Sequence, residues 1–454
     1  MSLSTRLPRG VRKLQRLLAL AAVPVLLAAC GGGGTAETPL ACTVAEQKQW
    51  LGDYMNEWYF WYRLAPRPDP APYTDVDSYF NALLYTGTDA NFPADRWSRR
   101  ETDESFNRFF GDGATLGYGV SVAGLEVAGD GTLPLYVRHV EPASPAAAQG
   151  VQRGDQVISI NGQLASVLVA ANDFTALSAA NAGDTLALVL RRNGSDRNVS
   201  LTAAVFLLTP VTNGAVLQSA GGRKLGYVVV KDMISQALAP LETAFSQFKA
   251  AGVSDVVLDL RYNGGGLVST GATLASYIAG LRGSGLSFAT LLYNDKRAAI
   301  NNQSFMFSSL ASSLGMPRAF VLMGRRTCSA SEQVINGLRG AGIEVIAIGE
   351  TTCGKPVGFL PASACGYTYS AVNFESVNQR NEGRYFDGFG ATCPVAEDFT
   401  LPIGSMVEPL LAAAARYADG GGCPAASTRE LPQSLRGAAR RAVEPGERQG
   451  MLGR

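Results

Sequence analysis

Ser329 and Lys355 are the residues whose setting best suits nucleophilic chemistry. A serine hydroxyl attacks usefully only when a nearby base takes its proton. The chain contains a single histidine, His139, so a Ser-His or Cys-His mechanism would have to use that residue. His139 falls inside an apolar run at 135–140, in a different part of the chain from the serine-bearing motif, and a core position suits it better. The alternative base is a lysine kept neutral by burial. Arg326-Thr327-Cys328-Ser329-Ala330-Ser331-Glu332 follows the apolar stretch 319–323 and opens a helical pattern. Ser329 is therefore expected on a strand-to-helix turn, where unpaired N–H groups favour a developing oxyanion. Lys355 follows the next apolar stretch, 345–348, in Gly349-Glu350-Thr351-Thr352-Cys353-Gly354-Lys355. Adjacent parallel strands would bring both residues to one edge of a sheet.

The elements that must position them alternate between strand and helix patterns from Gly226 onward. Strands are expected at 227–230, 256–260, 319–323 and 345–348, and helices at 241–250, 268–279 and 331–339. This is an α/β core, residues 215–423, with mainly parallel pairing. Ahead of it, residues 112–205 carry short strand patterns at 117–120, 135–140, 155–162 and 185–190, an Asn193-Gly194 hairpin turn, and short helical stretches at 144–149 and 173–180. Residues 40–110 form a small helical cap. Trp50, Leu51, Tyr54, Met55, Trp58, Trp61 and Tyr62 recur there at helical spacing, and two shorter helices are expected at 75–84 and 101–110.

Two stretches resemble known modules. Gly117-Tyr118-Gly119-Val120, Glu141-Pro142-Ala143-Ser144-Pro145-Ala146 and Gly154-Asp155 leading into Ile160-Asn161-Gly162 resemble a PDZ domain. That resemblance implies that the loop Leu116, Gly117, Tyr118 and Gly119 holds a terminal carboxylate while the peptide adds as an edge strand. Arg153-Gly154-Asp155 reads as a strand-entry turn. Ser329-Ala330-Ser331-Glu332, then Gly349-Glu350 through Gly354-Lys355, and upstream Leu258-Asp259-Leu260-Arg261-Tyr262-Asn263-Gly264-Gly265-Gly266 together resemble the carboxyl-terminal processing, or tail-specific, serine peptidases. The resemblance covers about residues 112–410. It implies a ClpP/crotonase-like spiral α/β catalytic core, with Ser329 as nucleophile, Lys355 as general base, and the N–H groups of Gly265 and Ala330 as oxyanion hole. Asp259, Arg261 and Glu332 are expected to brace the site. Many members carry a glutamine four positions after the lysine, where this chain has Phe359. A weak or inactive tail-binding protein is thus the alternative, and a crotonase-like thioester enzyme is a third reading by fold analogy.

Arg6, Arg9, Arg12, Lys13 and Arg16 precede an apolar stretch at 17–29 that is too short to span a bilayer. Leu27-Ala28-Ala29-Cys30 resembles a bacterial lipobox. This implies that residues 1–29 are a lipoprotein signal peptide, that Cys30 is lipidated, and that residues 30–39 are a Gly-rich tether. The expected address is the cell envelope, facing the periplasm, at the outer membrane because Gly31 rather than an acidic residue follows Cys30. Removing residues 1–29 leaves the chain mildly acidic, with no basic stripe for nucleic acid. Unfolded or C-terminally exposed protein substrates are the expected partners, besides the membrane reached through Cys30. Six further cysteines favour disulfides in an exported chain, with the pairing open. Cys365 and Cys393, and Cys42 and Cys423, stand out as pairs, and a Cys328–Cys353 link would touch the mechanism. With one histidine and no Cys-x-x-Cys pair, no metal site and no cofactor is expected. Residues 424–454, rich in Arg, Gly, Glu and Pro, read as a disordered tail.

Overall fold

The computed structural model describes residues 41–127, 129–425 and 450–453. The signal peptide, Cys30 and the tether lie outside the described residues, as do residues 426–449. Among the described residues no helix is long and apolar enough to cross a membrane.

Two six-stranded sheets build the core. In the first, Lys224–Val230, Asp255–Asp259, Arg318–Met323, Glu344–Gly349 and Cys393–Pro394 run parallel, with Val211–Gln218 antiparallel at one edge. The central strands are continuous apolar runs because both faces are covered. Helices Leu238–Ala251, Val268–Ala279 and Ala330–Gly340 pack on one side, and Pro409–Ala418 on the other. The second sheet is mixed, ordered Gly265–Leu267, Gly450–Leu452, Val357–Phe359, Val372–Val377, Ser287–Tyr293, Gln303–Met306. Sequence patterning misses it, since three-residue strands are too short to display a period of two. One of these strands corrects the expected tail. Gly450–Leu452 is a buried strand rather than part of a disordered end, because Met451 and Leu452 supply apolar side chains to two different core clusters.

The PDZ-like region orders its strands Val120–Val122, Leu135–Val140, Gln156–Ile160, Thr185–Arg192, Ser195–Thr202 around its own core. Its second helix lies at Ala165–Ala171, not at 173–180, where only a 3-10 turn, Thr175–Leu177, forms. The Asp173 carboxylate caps that turn by accepting from the Thr175 N–H at 3.0 Å, which ends the helical pattern early.

Helices Val44–Trp58, Val76–Leu83 and Asp103–Phe110 make the N-terminal unit, and its aromatic face is core rather than surface. Strand Arg99–Thr102 pairs antiparallel with Tyr367–Ser370, so this helical cap is joined to the α/β core by a strand pairing as well as by its apolar face. Cys42 pairs with Cys365 and Cys393 with Cys423. The sequence pairs Cys365–Cys393 and Cys42–Cys423 therefore exchange partners, because residue 42 folds back onto the 364–367 hairpin.

Arg261 is the electrostatic pin of the first sheet. Its guanidinium, 2% exposed, donates to Asp259 at 2.9 Å, to both Glu408 oxygens at 3.0 Å and to Glu397 at 3.1 Å. Arg153 of the PDZ-like region donates to the same Glu397 at 2.9 Å, to Tyr262 Oη at 2.6 Å and to the Leu401 carbonyl at 2.8 Å. Its Arg-Gly-Asp turn thereby docks the module on the core. Breaking a buried ion network on one side leaves carboxylates uncompensated. Arg261→Ala is expected to cost about 3–5 kcal/mol, read as a fall in the urea midpoint.

Candidate active site

Ser329 stands at the start of helix Ala330–Gly340, six residues beyond the end of the strand Arg318–Met323. Its backbone is left-handed, φ 62° and ψ −116°, an unfavourable conformation for a residue with a Cβ. The side chain is fully buried, and Oγ makes no hydrogen bond. Lys355, also fully buried, stands just before the strand Val357–Phe359. The parallel strands Arg318–Met323 and Glu344–Gly349 are direct neighbours in register, so both loops leave the same end of the sheet.

Beyond that end the sheet no longer holds the loops, and three other ties do. Glu332 Oε2 accepts the N–H of Ser329 at 2.9 Å and of Lys355 at 2.8 Å, while Oε1 accepts from Gly354 N–H at 2.8 Å and Thr352 Oγ1 at 2.5 Å. The Cys353 N–H donates to the Thr327 carbonyl at 3.1 Å. Cys328 and Cys353 form a disulfide, with Cα atoms 5.2 Å apart. This cross-link joins the residue before Ser329 to a residue two before Lys355. Cys328, Glu332 and Cys353 gather their ligand atoms within 4.8 Å, but the disulfide consumes both thiolates that a soft metal would need.

Burial pushes the Lys355 amine well below its ordinary range, helped by the Arg99 charge and opposed by Asp95 and Glu332. The Nζ lies 3.9 Å from the centre of the Phe359 ring, and the Arg99 guanidinium lies 5.2 Å from the same ring. Phe359 thus occupies the place where the resemblance implied an orienting glutamine, and it dries the amine instead. Burial also raises the Glu332 carboxyl, against the four donors that it accepts from.

Gly265 opens strand Gly265–Leu267 with φ 107°. A Cβ there would stand 2.9 Å from both the Ala330 nitrogen and Ser329 Cβ, so only glycine lets this backbone approach the serine. Ala330 is the first helical residue, where an N–H has no partner within the helix. The Gly265 N–H donates to Asn263 Oδ1 at 2.8 Å, so it can serve an oxyanion only by leaving that amide. Asn263 itself was not singled out by the sequence. Its side chain also donates to the Val230 carbonyl at 2.9 Å and its own carbonyl accepts from Ser331 Oγ at 3.0 Å; an Asn before a glycine run is the signal that could have found it.

The structure does not bring His139 to this cluster as a partner: its ring nitrogen faces Glu141 Oε1 at 3.3 Å, within the PDZ-like region. Leu116 and Gly117 do not form the expected loop but end the strand Ala114–Gly117, which pairs antiparallel with Ala204–Leu207, so only Tyr118 and Gly119 connect it to the edge strand Val120–Val122, with the Tyr118 ring buried. The Tyr118 and Gly119 carbonyls accept from the N–H groups of Ala146 and Glu141 at 2.9 Å, which fixes the loop against the following helix.

Residues 224–370 match the model of peptidase family S41, residues 46–99 the peptidase S41 N-terminal domain, and residues 115–203 the PDZ domain. The chain is thus similar to the S41 carboxyl-terminal processing peptidases, with a PDZ-domain match lying between the N-terminal and peptidase matches. It is 28% identical over 216 residues to a carboxyl-terminal-processing protease of Picosynechococcus, covering 47% of this chain and 49% of that protein. It is 29% identical over 249 residues to the chloroplastic C-terminal processing peptidase of Tetradesmus obliquus, covering 52% and 51%. The chain thus spans about half the length of these relatives. A crystal structure of an S41 protease from Bacteroides fragilis shares the fold, at 23% identity and a TM-score of 0.63, over 82% of this chain and 97% of that one.

The disulfide is the tie most easily cut. Cys328→Ser/Cys353→Ser is expected to lower peptide turnover by about 10- to 100-fold, with kcat falling and KM steady, since a small displacement of a reacting group costs that much. The check is steady-state kinetics of the variant beside its far-UV spectrum.

Proposed function

We propose that this chain is a serine endopeptidase of the carboxyl-terminal processing type, cutting exported proteins or peptides recognised by their C-terminal end. The observation that carries this reading is a buried serine on a strained turn and a dried lysine, both fastened by backbone N–H groups to the single carboxylate of Glu332.

In this reading the neutral Lys355 amine takes the Ser329 hydroxyl proton as Oγ attacks the scissile carbonyl. The oxyanion is met by the Ala330 N–H and by Gly265 once it is released from Asn263. Lys355 then gives the proton to the leaving amine, and water completes hydrolysis of the acyl-enzyme by the same route. No metal or organic cofactor is required by these steps. Residues 116–119 would capture the tail of the substrate and feed it along the edge strand. Residues 40–110, 112–205 and 215–423 are the proposed N-terminal, PDZ and catalytic units, and the strand–helix succession of the last supports a ClpP/crotonase-like spiral. The lipobox-like 27–30 stretch supports anchoring through Cys30 on the periplasmic side of the outer membrane.

The test is cleavage of an unfolded protein with an apolar C-terminus. Ser329→Ala and Lys355→Ala are each expected to lose on the order of 10⁴-fold in kcat while remaining folded. Normal cutting by Lys355→Ala would remove the lysine from its role. The pH profile gives a second check. Arg99 faces Lys355 and favours the neutral amine, as Asp95 and Glu332 oppose it; Glu101 lies 4.0 Å from Arg99. Losing the Arg99 charge raises the amine's pKa, so less neutral base exists at a given pH. Arg99→Met should move the acidic limb of kcat/KM upward, and Arg99→Lys should restore it.

A further inference from the structure

Ser329 and Lys355 have no exposed surface, so a substrate needs a way in. The second sheet contains one. Gly265–Leu267, whose first residue touches Ser329 and Ala330, and Val357–Phe359, which begins two residues after Lys355, are not paired with each other. They flank the strand Gly450–Leu452, which runs parallel to both. Two strands separated by one strand stand about 10 Å apart, which is the gap that a single extended peptide fills.

The occupant is held as a bound peptide is held in strand addition. The Gly450 N–H donates to the Gly264 carbonyl and the Gly453 N–H to the Phe359 carbonyl, both at 3.1 Å. The Gly450 carbonyl oxygen lies 2.2 Å, and Ser329 Cβ 2.9 Å, from the same point, the place of an absent Gly265 Cβ. The inserted backbone therefore passes directly beside the nucleophile's turn.

Its side chains define pockets. Met451 enters the main core with Met233, Phe288 and Phe374. Leu452 enters the cluster of Val357, Phe359 and Val372. A Cβ on Gly453 would meet Leu291, Phe374 and Tyr293 at 3.0–3.2 Å, whereas one on Gly450 meets nothing nearer than Arg99 at 3.8 Å. The slot thus admits a side chain at the first register, asks for apolar ones at the second and third, and favours a small residue at the fourth.

We propose that the gap between Gly265–Leu267 and Val357–Phe359 is the peptide slot of the catalytic core, and that residues 450–453 fill it as a tethered occupant competing with substrate. The slot takes extended segments with apolar residues at the Met451 and Leu452 registers and a small one at the Gly453 register. This rests on the peptidase reading and adds to it the site, the substrate class and a built-in competitor.

The experiment compares the full chain with Met451→Asp/Leu452→Asp, which expels the strand by burying charge. The readouts are cleavage of fluorescein-labelled casein and binding of the labelled peptide Gln-Gly-Met-Leu-Gly-Arg. An intramolecular competitor acts at millimolar effective concentration. The variant should therefore cut about tenfold faster at low substrate, with KM lower and kcat little changed. The free peptide should inhibit it competitively, and a version with Val in place of the second Gly should bind more weakly. Gly450→Pro, which removes only the N–H given to Gly264, serves if the double variant does not fold. A folded variant that cuts no faster than the parent, or that is not inhibited by the peptide, overturns the proposal. If neither protein cuts casein or reacts at Ser329 with a fluorophosphonate, the peptidase reading fails. Peptide binding to the variant but not to the parent would then still uphold the slot, and no binding to either would sink it.

Discussion

One buried carboxylate does what the sheet cannot. Parallel strands deliver two loops to the same edge, but five residues of irregular chain then separate each strand from the residue of interest. Glu332 accepts from both loops at once, through the N–H groups of Ser329, Gly354 and Lys355 and the Thr352 hydroxyl. A carboxyl group buried at that depth is tolerated because its oxygens are filled by donors. The same donors that satisfy it fix the geometry of the proposed serine and lysine pair, and the Cys328–Cys353 bridge makes that fastening covalent.

From that anchor the rest of the site follows by exclusion of water. Phe359 and Arg99 leave the Lys355 amine in a dry, positively biased setting, so its neutral form is favoured where an exposed lysine would be charged. The Arg99 contribution comes from the N-terminal unit, whose strand Arg99–Thr102 is paired into the catalytic region. The unit is thereby part of the site's electrostatics as well as of its packing. The PDZ-like region is fastened from the other side. Arg153 shares Glu397 with Arg261, and Glu126 pairs with Arg326, three residues before the serine. The Glu126 contact therefore ends on the serine-bearing loop that Glu332 orders.

The mixed sheet gives the site its proposed way in. Parallel insertion of Gly450–Leu452 satisfies strand edges that would otherwise face each other across a gap. A short apolar segment fits there because glycines at both ends keep its backbone close to its neighbours. A peptide supplied from outside would meet the same hydrogen-bonding edges and the same pockets.

Much of this was legible in the residues. Continuous apolar runs at 319–323 and 345–348 mark strands covered on both faces, and helix boundaries at Val268–Ala279 follow directly from periodicity. The lone histidine lies elsewhere and Ser329 and Lys355 each follow such a run, but it is the resemblance of the stretches around them to the tail-specific peptidases that singles the pair out. What the sequence could not express were relations between distant segments. It left the cysteine pairing open, since which sulfurs meet depends on where residue 42 lands. It marked Glu332 as a brace but hid what it braces, since three of its donors are backbone N–H groups that carry no residue identity. It misread residues 450–452, because a three-residue strand has no period and draws its stability from pockets made by residues far away in the chain, such as Met233, Phe288 and Phe374. Local pattern determined the elements and the candidate pair; only long-range packing decided which edges face each other, and so what the site can hold.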